Sequence, residues 1–378
     1  MENKWLSEAF KGEVPSGFQG KVGWQSPSNI ALVKYWGKKW KQIPQNPSIS
    51  FTLSECCSET FISFEKADRL DFRFFFEGKE NPAFGAKIEK FLLDYQAFFP
   101  FINQLALTVE SRNTFPHSSG IASSASSMSA FVMCLLDIES KLVGPSTFRQ
   151  AQGSRALVDS VPEPVEGPIN LQKASYFSRF ASGSAARSVF PMMALWGQAE
   201  AYQGSSDEYA VSLENDIHPV FKTYHDSILI VSGEQKSVSS RAGHALMEGN
   251  PYASARYAQA NENIKNLLSA LKSGDLDTFI NITESEALQL HALMMCSNPS
   301  YILMKPNTLN LINEIREFRH ETKIPLCFTL DAGPNVHLLY PESEVEKVEY
   351  FIKNVLEKYC DQGRWIADHV GEGPKKLQ

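Results

Sequence analysis

In the first half of the chain, several segments alternate hydrophobic and polar residues or are rich in β-branched and aromatic residues, which predicts β-strands. The predicted strands are residues 21–33, 49–53, 60–64, 71–76 and 105–112. Residues 86–98 instead repeat hydrophobic positions at helical spacing. A run of small residues, 118–129, passes into the apolar segment 130–136 and predicts a second helix. This half therefore mixes strands and helices.

The second half has a different order of elements. Residues 227–232 form a buried-strand pattern, and three helical patterns follow at 252–271, 276–295 and 308–321. Two short strands are then predicted at 326–330 and 337–340, before a last helix at 343–359. This order predicts helices packed on one side of a small, mostly antiparallel sheet. The polar, Gly/Ser-rich residues 203–214 are the predicted boundary between the halves.

One segment, residues 144–168, follows neither period. It contains 3 glycines and 4 prolines in 25 residues, whereas the whole chain has 22 glycines and 20 prolines in 378. This composition predicts an exposed loop or an insertion between two helices, and an ordinary long connection is the alternative.

Length and charge limit the class of protein. A chain of 378 residues suggests two domains, since a domain has about 150 residues. Lysine and arginine number 36 and aspartate and glutamate 43, so the formal net charge is −7. A general nucleic-acid binder is disfavoured because affinity for the phosphate backbone needs a positive surface. A small anionic substrate stays possible, since it needs only a few local cations and backbone N–H groups.

Cysteine content and hydropathy predict the compartment. Six cysteines without a CxxC pair are too sparse for a disulfide scaffold and favour a reducing compartment. The first residues, MENKWLSEAFKGEV, lack the apolar core of a signal peptide. No apolar run approaches the roughly 18 residues that span a bilayer. We therefore expect a soluble cytoplasmic protein that does not contact membranes.

Several common catalytic motifs do not occur in the sequence. Gly37 and Lys38 lack the upstream glycine of a GxxxxGK[ST] loop. An HExxH motif starting at His320 would need a second histidine where Ile324 stands. Neither a GxGxxG that opens a helix nor a GxSxG elbow is found. P-loop kinases, zinc proteases, dinucleotide enzymes and α/β-hydrolases are therefore disfavoured.

Two segments of the first half carry residue types suited to phosphate. Residues 26–38, SPSNIALVKYWGK, end an apolar strand with lysines, which face either solvent or an anion. Residues 113–125, NTFPHSSGIASSA, form a Gly/Ser-rich loop that enters a helix. Free N–H groups and the positive end of the helix dipole favour phosphate there, and serine hydroxyls can reach a magnesium ion. A capped, tightly packed core helix is the alternative interpretation.

Two further segments add a cation and an acid. Residues 182–188, SGSAARS, place small hydroxyl residues before Arg187, whose planar fork suits phosphate or carboxylate. A helix start with one surface arginine is the alternative. Residues 329–335, TLDAGPN, end an apolar strand with Asp331 before a Gly-Pro turn. An aspartate before a turn is usually structural, so catalysis by Asp331 is the second interpretation of this segment alone.

Together and in this order, the four segments resemble the diphosphomevalonate decarboxylase family of the GHMP kinase superfamily, over residues 24–340. The resemblance implies the mixed α/β (α+β) two-domain GHMP kinase fold, with the active cleft between the domains. Residues 1–208 would be a ribosomal-protein-S5-like, ATP-binding domain with an insertion at about 144–168, and residues 209–378 a ferredoxin-like domain. The missing P-loop is then explained, because this superfamily binds ATP through the second segment.

The resemblance also implies a reaction and a set of site residues. The reaction is the ATP-dependent decarboxylation of mevalonate 5-diphosphate to isopentenyl diphosphate, ADP, phosphate and CO2. The implied catalytic residues are Asp331, Lys34 and Arg187. The implied substrate-binding residues are Tyr35, Lys38, Ser182, Gly183, Ser184 and Arg241. The residues implied for the ATP phosphates are Asn113, Gly120, Ser123 and Ser124. ATP and Mg²⁺ are the implied cofactors, with magnesium held on ATP and reached by Ser124 rather than by a cage of protein ligands.

The same resemblance assigns roles and leaves alternatives. Asp331 would orient the substrate 3-hydroxyl group and take its proton, Arg187 would hold the carboxylate, and Lys34 would support Asp331 and the transferring phosphate. The presence of all three disfavours a mevalonate 3-kinase and a catalytically inactive ligand sensor. A decarboxylase of mevalonate 5-phosphate stays open, since the choice of substrate depends on residues such as Arg241. A homodimer is also implied.

Overall fold

The computed structural model describes residues 2–116, 121–150, 169–234 and 240–378, with backbone only at 2–3, 144–150 and 240–241. Its helices are α1 Glu2–Glu8, α2 Pro82–Asp94, α3 Ser123–Gln150, α4 Leu171–Ala181, α5 Ser240–Ala245, α6 Ala253–Ser273, α7 Leu276–Met295, α8 Pro306–Thr322 and α9 Val345–Phe351. Its strands are β1 Gln19–Ala31, β2 Ser48–Lys66, β3 Asp71–Phe76, β4 Lys79–Glu80, β5 Leu105–Asn113, β6 Met193–Trp196, β7 Ala210–Ser212, β8 Tyr224–Leu229, β9 Cys327–Leu330, β10 Val336–Pro341, β11 Trp365–His369 and β12 Lys375–Lys376.

The larger of the two sheets has the strand order β12-β1-β2-β5-β3-β4, and β6 and β7 extend it from β2. Its strand pairs are antiparallel except for the parallel pair β3 and β5. Helix α3 packs on β1 and β2, and α4 packs on α3. Alternate strand residues such as Val22, Ile62 and Val109 enter this core, where they are buried together with Phe131 of α3. The alternation seen in the sequence thus marks the face that α3 covers.

Strand β2 is longer than the sequence indicated. Two strands were predicted at 49–53 and 60–64, but the structure has one strand, Ser48–Lys66. Its pairing with β1 shifts register between Pro27 and Asn29. The carboxylate of Asp368 in β11 spans the irregularity, because its oxygens accept hydrogen bonds from the N–H groups of Ser54, Glu55 and Cys56 at 2.8, 2.9 and 2.8 Å. The prediction of a break was wrong because the group that holds the strand together is distant in sequence.

The smaller sheet has the order β11-β8-β10-β9 and is antiparallel throughout. Helices α7 and α8 both contact β9, and α6 packs on α7. The predicted arrangement of helices against a small antiparallel sheet is confirmed. Strand β11 had not been predicted, since Trp365–His369 is only half buried and lacks a clear hydrophobic alternation.

A second hydrophobic core joins the two sheets. Ile30 of β1 and Phe51 of β2 are buried in the same cluster as Ile264 and Leu267 of α6 and Phe279 of α7. Strands from the first half therefore bury side chains against helices from the second half. The ends of β1 and β9, which carry two of the predicted site segments, lie beside this junction.

One prediction about chain organisation differs in part from the structure, and another stays a prediction. The backbone of residues 144–150 continues helix α3, although Pro145 lacks the N–H group of a helical residue and so indicated a break. The rest of the predicted insertion, 151–168, lies outside the described residues. The boundary between 208 and 209 stays a prediction, but β7 and the terminal strand β12 belong to the larger sheet, because they pair with β6 and β1. In the part of the chain described, no helix is long and apolar enough to cross a membrane.

We predict that Asp368→Asn destabilises the fold by about 3 kcal/mol, because an amide offers one acceptor oxygen to three N–H groups that now share a buried carboxylate. The free energy of unfolding from urea denaturation measures this. Glu110→Gln is the control, since Glu110 forms an exposed ion pair with Lys21, and such pairs contribute at most about 1 kcal/mol. Equal losses in the two variants would contradict the role of Asp368.

Candidate active site

A cavity of about 620 Å³ lies where the two sheets meet. It is lined by the following residues that the sequence predicted for the site: Lys34, Tyr35, Lys38, Ser124, Ser182, Gly183, Ser184, Arg187 and Asp331. Segments from both halves of the chain thus converge on one space that is large enough for a small-molecule ligand.

Lys34 and Asp331 form an ion pair in the wall of this cavity. Lys34 follows β1 and Asp331 follows β9, and the ammonium Nζ lies 3.4 Å from Oδ1 of Asp331. The side chain of Lys34 is 2% exposed and that of Asp331 27%. Nζ also donates to the carbonyl of Ala31 at 2.6 Å. Burial lowers the pKa of Lys34, and the charge of Asp331 acts in the opposite direction. The pair joins a buried cation to a carboxylate that reaches the cavity.

Arg187 is a second buried cation at the cavity. Its Nε donates to Oγ of Ser50 at 2.9 Å, and its Nη2 donates to Oδ1 of Asn29 at 3.3 Å. Its Nη1 is buried without a hydrogen-bond partner among the described residues. Burial lowers the pKa of Arg187 to about 10, so the guanidinium stays charged at neutral pH. A buried guanidinium held on one side only is suited to bind an anion.

Tyr35 and Gly183 form one wall of the cavity. The Tyr35 ring lies 4.7 Å from the Trp196 ring and 4.3 Å from the His244 ring, centre to centre. A Cβ at Gly183 would lie 2.9 Å from the Tyr35 ring and hydroxyl and 3.1 Å from Trp196. A side chain at position 183 would therefore displace the Tyr35 ring. Burial raises the pKa of Tyr35, so its hydroxyl remains a neutral hydrogen-bonding group.

His244 lines the cavity although the sequence did not single it out. Its Nδ1 accepts a hydrogen bond from the N–H of Gly37 at 3.0 Å, and its ring lies 4.7 Å from that of Trp36. Burial, followed by the charges of Lys38 and Arg187, lowers the pKa of His244 to about 3. The imidazole is therefore neutral near pH 7. A lone histidine in a helix gives no signal in the sequence that it will meet a cavity formed by another domain.

A smaller cavity of about 100 Å³ adjoins the first turn of α3. Apolar side chains dominate its wall, among them Phe74, Val109 and Phe131, and Asn113 and Ser123 provide polar groups. Ser124 lines both cavities. The described chain offers no partner to the buried Nδ2 of Asn113, whereas its Oδ1 accepts from Ser58 at 2.7 Å. The two cavities therefore meet at the start of a helix, where N–H groups favour phosphate.

Some predicted residues are not placed in the main cavity. Asn113 and Ser123 line only the smaller one. Gly120 lies outside the described residues, and Arg241 is described only by its backbone in the first turn of α5. Within the described ranges, no group of three His, Cys, Asp or Glu side chains could hold a metal ion.

The fold and the site define an enzyme class: two α+β units with a cleft that brings cations and the carboxylate of Asp331 together for a small anionic substrate. Residues 26–210 match the diphosphomevalonate decarboxylase-like N-terminal domain, and residues 227–376 match the mevalonate 5-diphosphate decarboxylase C-terminal domain. The chain belongs to the diphosphomevalonate decarboxylase family.

Individual relatives agree with this assignment. Diphosphomevalonate decarboxylase of Ganoderma lucidum is 28% identical over 372 residues, which covers 92% of this chain and 84% of the relative. A mevalonate diphosphate decarboxylase structure from Legionella pneumophila is 27% identical, with a TM-score of 0.73 over 90% of this chain and 99% of that one. A structure of MDDEF in complex with MVAPP, AMPPCP and magnesium has a TM-score of 0.74 at 24% identity, over 95% and 99%. The two-domain α+β fold expected from the sequence is confirmed.

We predict that Gly183→Ala weakens binding of mevalonate 5-diphosphate about tenfold, because the added methyl group displaces the Tyr35 ring and overpacking of this kind costs about 1–3 kcal/mol. Titration calorimetry measures the affinity. Gly20→Ala is the control, since its Cβ would lie 3.0 Å from the Phe64 ring, away from the cavity. Unchanged affinity in Gly183→Ala, or the same loss in Gly20→Ala, would contradict this account.

Proposed function

We propose that the protein decarboxylates mevalonate 5-diphosphate with ATP, producing isopentenyl diphosphate, ADP, phosphate and CO2. The observation that carries the proposal is the contact between Lys34 and Asp331 at 3.4 Å, in a cavity that also contains the guanidinium of Arg187. This set provides one carboxylate for a substrate hydroxyl group and separate cations for its anionic groups.

Asp331 is the proposed catalytic base. Its partly exposed carboxylate would accept a hydrogen bond from the substrate 3-hydroxyl group and take its proton as the γ-phosphoryl group transfers to that oxygen. The C–O bond to the new phosphate then breaks, leaving positive charge at C3, which the Asp331 carboxylate stabilises. The electrons of the bond to the carboxylate form the new C=C bond as CO2 leaves.

Lys34 and Arg187 have distinct proposed roles. The Lys34 ammonium supports the Asp331 carboxylate, with which it is in contact, and offers positive charge to the transferring phosphate. Arg187 binds the substrate carboxylate, and the unsatisfied Nη1 supports this role because a bound carboxylate would satisfy it. The hydrogen bonds to Asn29 and Ser50 hold the guanidinium in place before substrate arrives.

The substrate diphosphate is assigned to the wall formed by Tyr35, Lys38 and residues 182–184. Lys38 supplies charge, the serine hydroxyls supply hydrogen bonds, and Gly183 leaves room for the Tyr35 ring that forms part of this wall. Arg241 remains a proposed diphosphate ligand. It bears on the alternative, a decarboxylase of mevalonate 5-phosphate, since that substrate carries less charge for Arg241 to bind.

ATP is assigned to the smaller cavity and the start of α3. The apolar wall of that cavity suits the adenine ring, with Asn113 as a polar contact. Ser123, Ser124 and Gly120 would bind the phosphates, which extend toward the main cavity past Ser124. Magnesium bound with ATP would neutralise phosphate charge, and the hydroxyl of Ser124 fits it as an oxygen ligand, since the described residues offer no carboxylate cluster.

The assembly and location of the protein stay predictions. The family resemblance predicts a homodimer. The sequence predicts a cytoplasmic location. Neither is needed for the chemistry proposed above.

One assay tests the proposed reaction. Purified protein is mixed with ATP, magnesium and either mevalonate 5-diphosphate or mevalonate 5-phosphate, and the release of ADP and CO2 is followed. Equal amounts of ADP and CO2 from the diphosphate are expected. ADP without CO2 would indicate a kinase, CO2 only from the monophosphate would indicate the alternative decarboxylase, and neither product would indicate a ligand sensor.

We predict that Asp331→Asn lowers kcat at least about a thousandfold, which is the scale of losing one key catalytic group. The amide keeps the shape of the carboxylate but cannot take the proton or stabilise positive charge at C3. Turnover and the affinity for mevalonate 5-diphosphate are measured together, and the affinity should change far less than kcat. Near-normal turnover would show that Asp331 is not the base.

A further inference from the structure

A buried ion pair lies behind Lys34, on the side away from the cavity. Glu286 of α7 has a side chain that is 0% exposed, and Arg256 of α6 is 3% exposed. Their contact, from Nη2 of Arg256 to Oε2 of Glu286, is 2.5 Å. Asn263 of α6 donates from Nδ2 to Oε1 of Glu286 at 2.6 Å. The carboxylate is thus held from two positions on the neighbouring helix.

Both members of this ion pair bind the peptide backbone of Lys34. Oε2 of Glu286 accepts a hydrogen bond from the Lys34 N–H at 2.9 Å, and Nη2 of Arg256 donates to the Lys34 carbonyl at 3.3 Å. Asn46 adds a hydrogen bond to the same carbonyl at 3.1 Å. Every backbone polar group of Lys34 is therefore bound by side chains, and the pair that binds both groups belongs to the helices of the second half of the chain.

Helix α7 also contacts the residue opposite Lys34. Five positions after Glu286, Nε2 of His291 donates to the backbone carbonyl of Asp331 at 3.1 Å. One helix therefore touches the backbones of both residues whose side chains meet in the cavity. Its position determines how far apart those side chains lie.

Stability alone gives little reason for an ion pair at this place. Burying two charges costs desolvation energy that a well-packed apolar pair avoids, so buried ion pairs often add nothing to stability. The same helix carries Glu284, which pairs with Arg316 at 3.2 Å and with Arg319 of α8 and does not contact Lys34. The two buried glutamates of α7, Glu284 and Glu286, thus allow the role at Lys34 to be distinguished from a role in packing.

We propose that Glu286 is a positioning residue for the reaction. Together with Arg256 it binds the backbone N–H and carbonyl groups of Lys34. It thereby fixes the position of the Lys34 ammonium group opposite Asp331 and helps to keep that group charged. This inference rests on the proposed function for its kinetic consequences only, because the effect of Glu286 on the titration of the Lys34 amine can be measured without turnover.

The charges around the Lys34 ammonium give the direction of the expected effect. The negative groups that act on it are Asp331, Glu286 and the buried Asp226. Arg187 is a positive group that acts on it, and Arg256 lies at the Lys34 carbonyl. Burial lowers the pKa of Lys34, while Asp331 and then Glu286 raise it. Removing the charge of Glu286 leaves Arg256 uncompensated, so the pKa of Lys34 should fall further. If the reaction needs the protonated amine of Lys34, activity is lost as the pH rises through the pKa of Lys34. Without the charge of Glu286, this loss of activity should begin at a lower pH than in the wild-type protein.

We predict that Glu286→Gln lowers kcat about tenfold to a hundredfold, the scale of a small misplacement of a catalytic group. The KM for ATP should change little, because α7 does not line the smaller cavity. The alkaline limb of the pH profile of kcat should move to lower pH. Glu284→Gln is the matched control on the same helix. It should leave both kcat and the alkaline limb unchanged, even if it lowers the melting temperature as much as Glu286→Gln does.

A second measurement does not depend on the reaction. The Lys34 amine is titrated by NMR in lysine-labelled protein, with its resonance assigned by its loss in Lys34→Arg. A lower midpoint in Glu286→Gln and a wild-type midpoint in Glu284→Gln are expected. Glu286→Asp keeps the charge but withdraws the oxygen from the Lys34 N–H, so its midpoint should stay near wild type while kcat falls.

The outcomes separate the two proposals. An unchanged Lys34 midpoint in Glu286→Gln, or the same shift in Glu284→Gln, would overturn the role of Glu286. If the Lys34 midpoint shifts in Glu286→Gln but the wild-type protein releases no CO2, the proposed reaction is overturned. The role of Glu286 in positioning Lys34 would then still hold. If Glu286→Gln does not fold, Glu286→Asp decides, and wild-type kcat in that variant would overturn the positioning role.

Discussion

A lysine ammonium group buried between two halves of the chain is the constraint on which the site depends. Lys34 is removed from water, and a buried cation is tolerated only when anionic or dipolar partners surround it. The carbonyl of Ala31 and the carboxylate of Asp331 are such partners, and they come from opposite halves. The two halves must therefore pack together before the cation is satisfied, which links formation of the cleft to formation of the reactive pair.

The packing that brings the halves together is joined by hydrogen bonds near the cleft. Strands β1 and β2 bury side chains in the same core as α6 and α7. Near that core, Glu286 and Arg256 bind the Lys34 backbone, and Asp368 binds the part of β2 where the register shifts. Apolar burial supplies the attraction between the halves, whereas these directional hydrogen bonds select one relative placement.

Part of the fold could be predicted because some elements carry a strong local signal. The bounds of β3 and α7 were predicted to the residue, Asp71–Phe76 and Leu276–Met295, since phenylalanines fill most of β3 and helical spacing persists through α7. Short strands such as β7 and β12 have no such period, and they form only because a neighbouring strand offers free backbone groups. The prediction of a break in β2 was wrong because Asp368, whose carboxylate holds that part of the strand, is remote in sequence.

The sequence by itself determined the order of most of the longer elements, disfavoured nucleic acid as a partner, and marked the four segments that meet in the main cavity and its neighbour. The tertiary structure decided which side chains support them: Asn29 for Arg187, Glu286 for Lys34 and His244 beside Tyr35. The physical reason is that hydrogen bonding and burial act between residues far apart in the chain. A local pattern records which residues are apolar, but not which partner packing will place against a polar one.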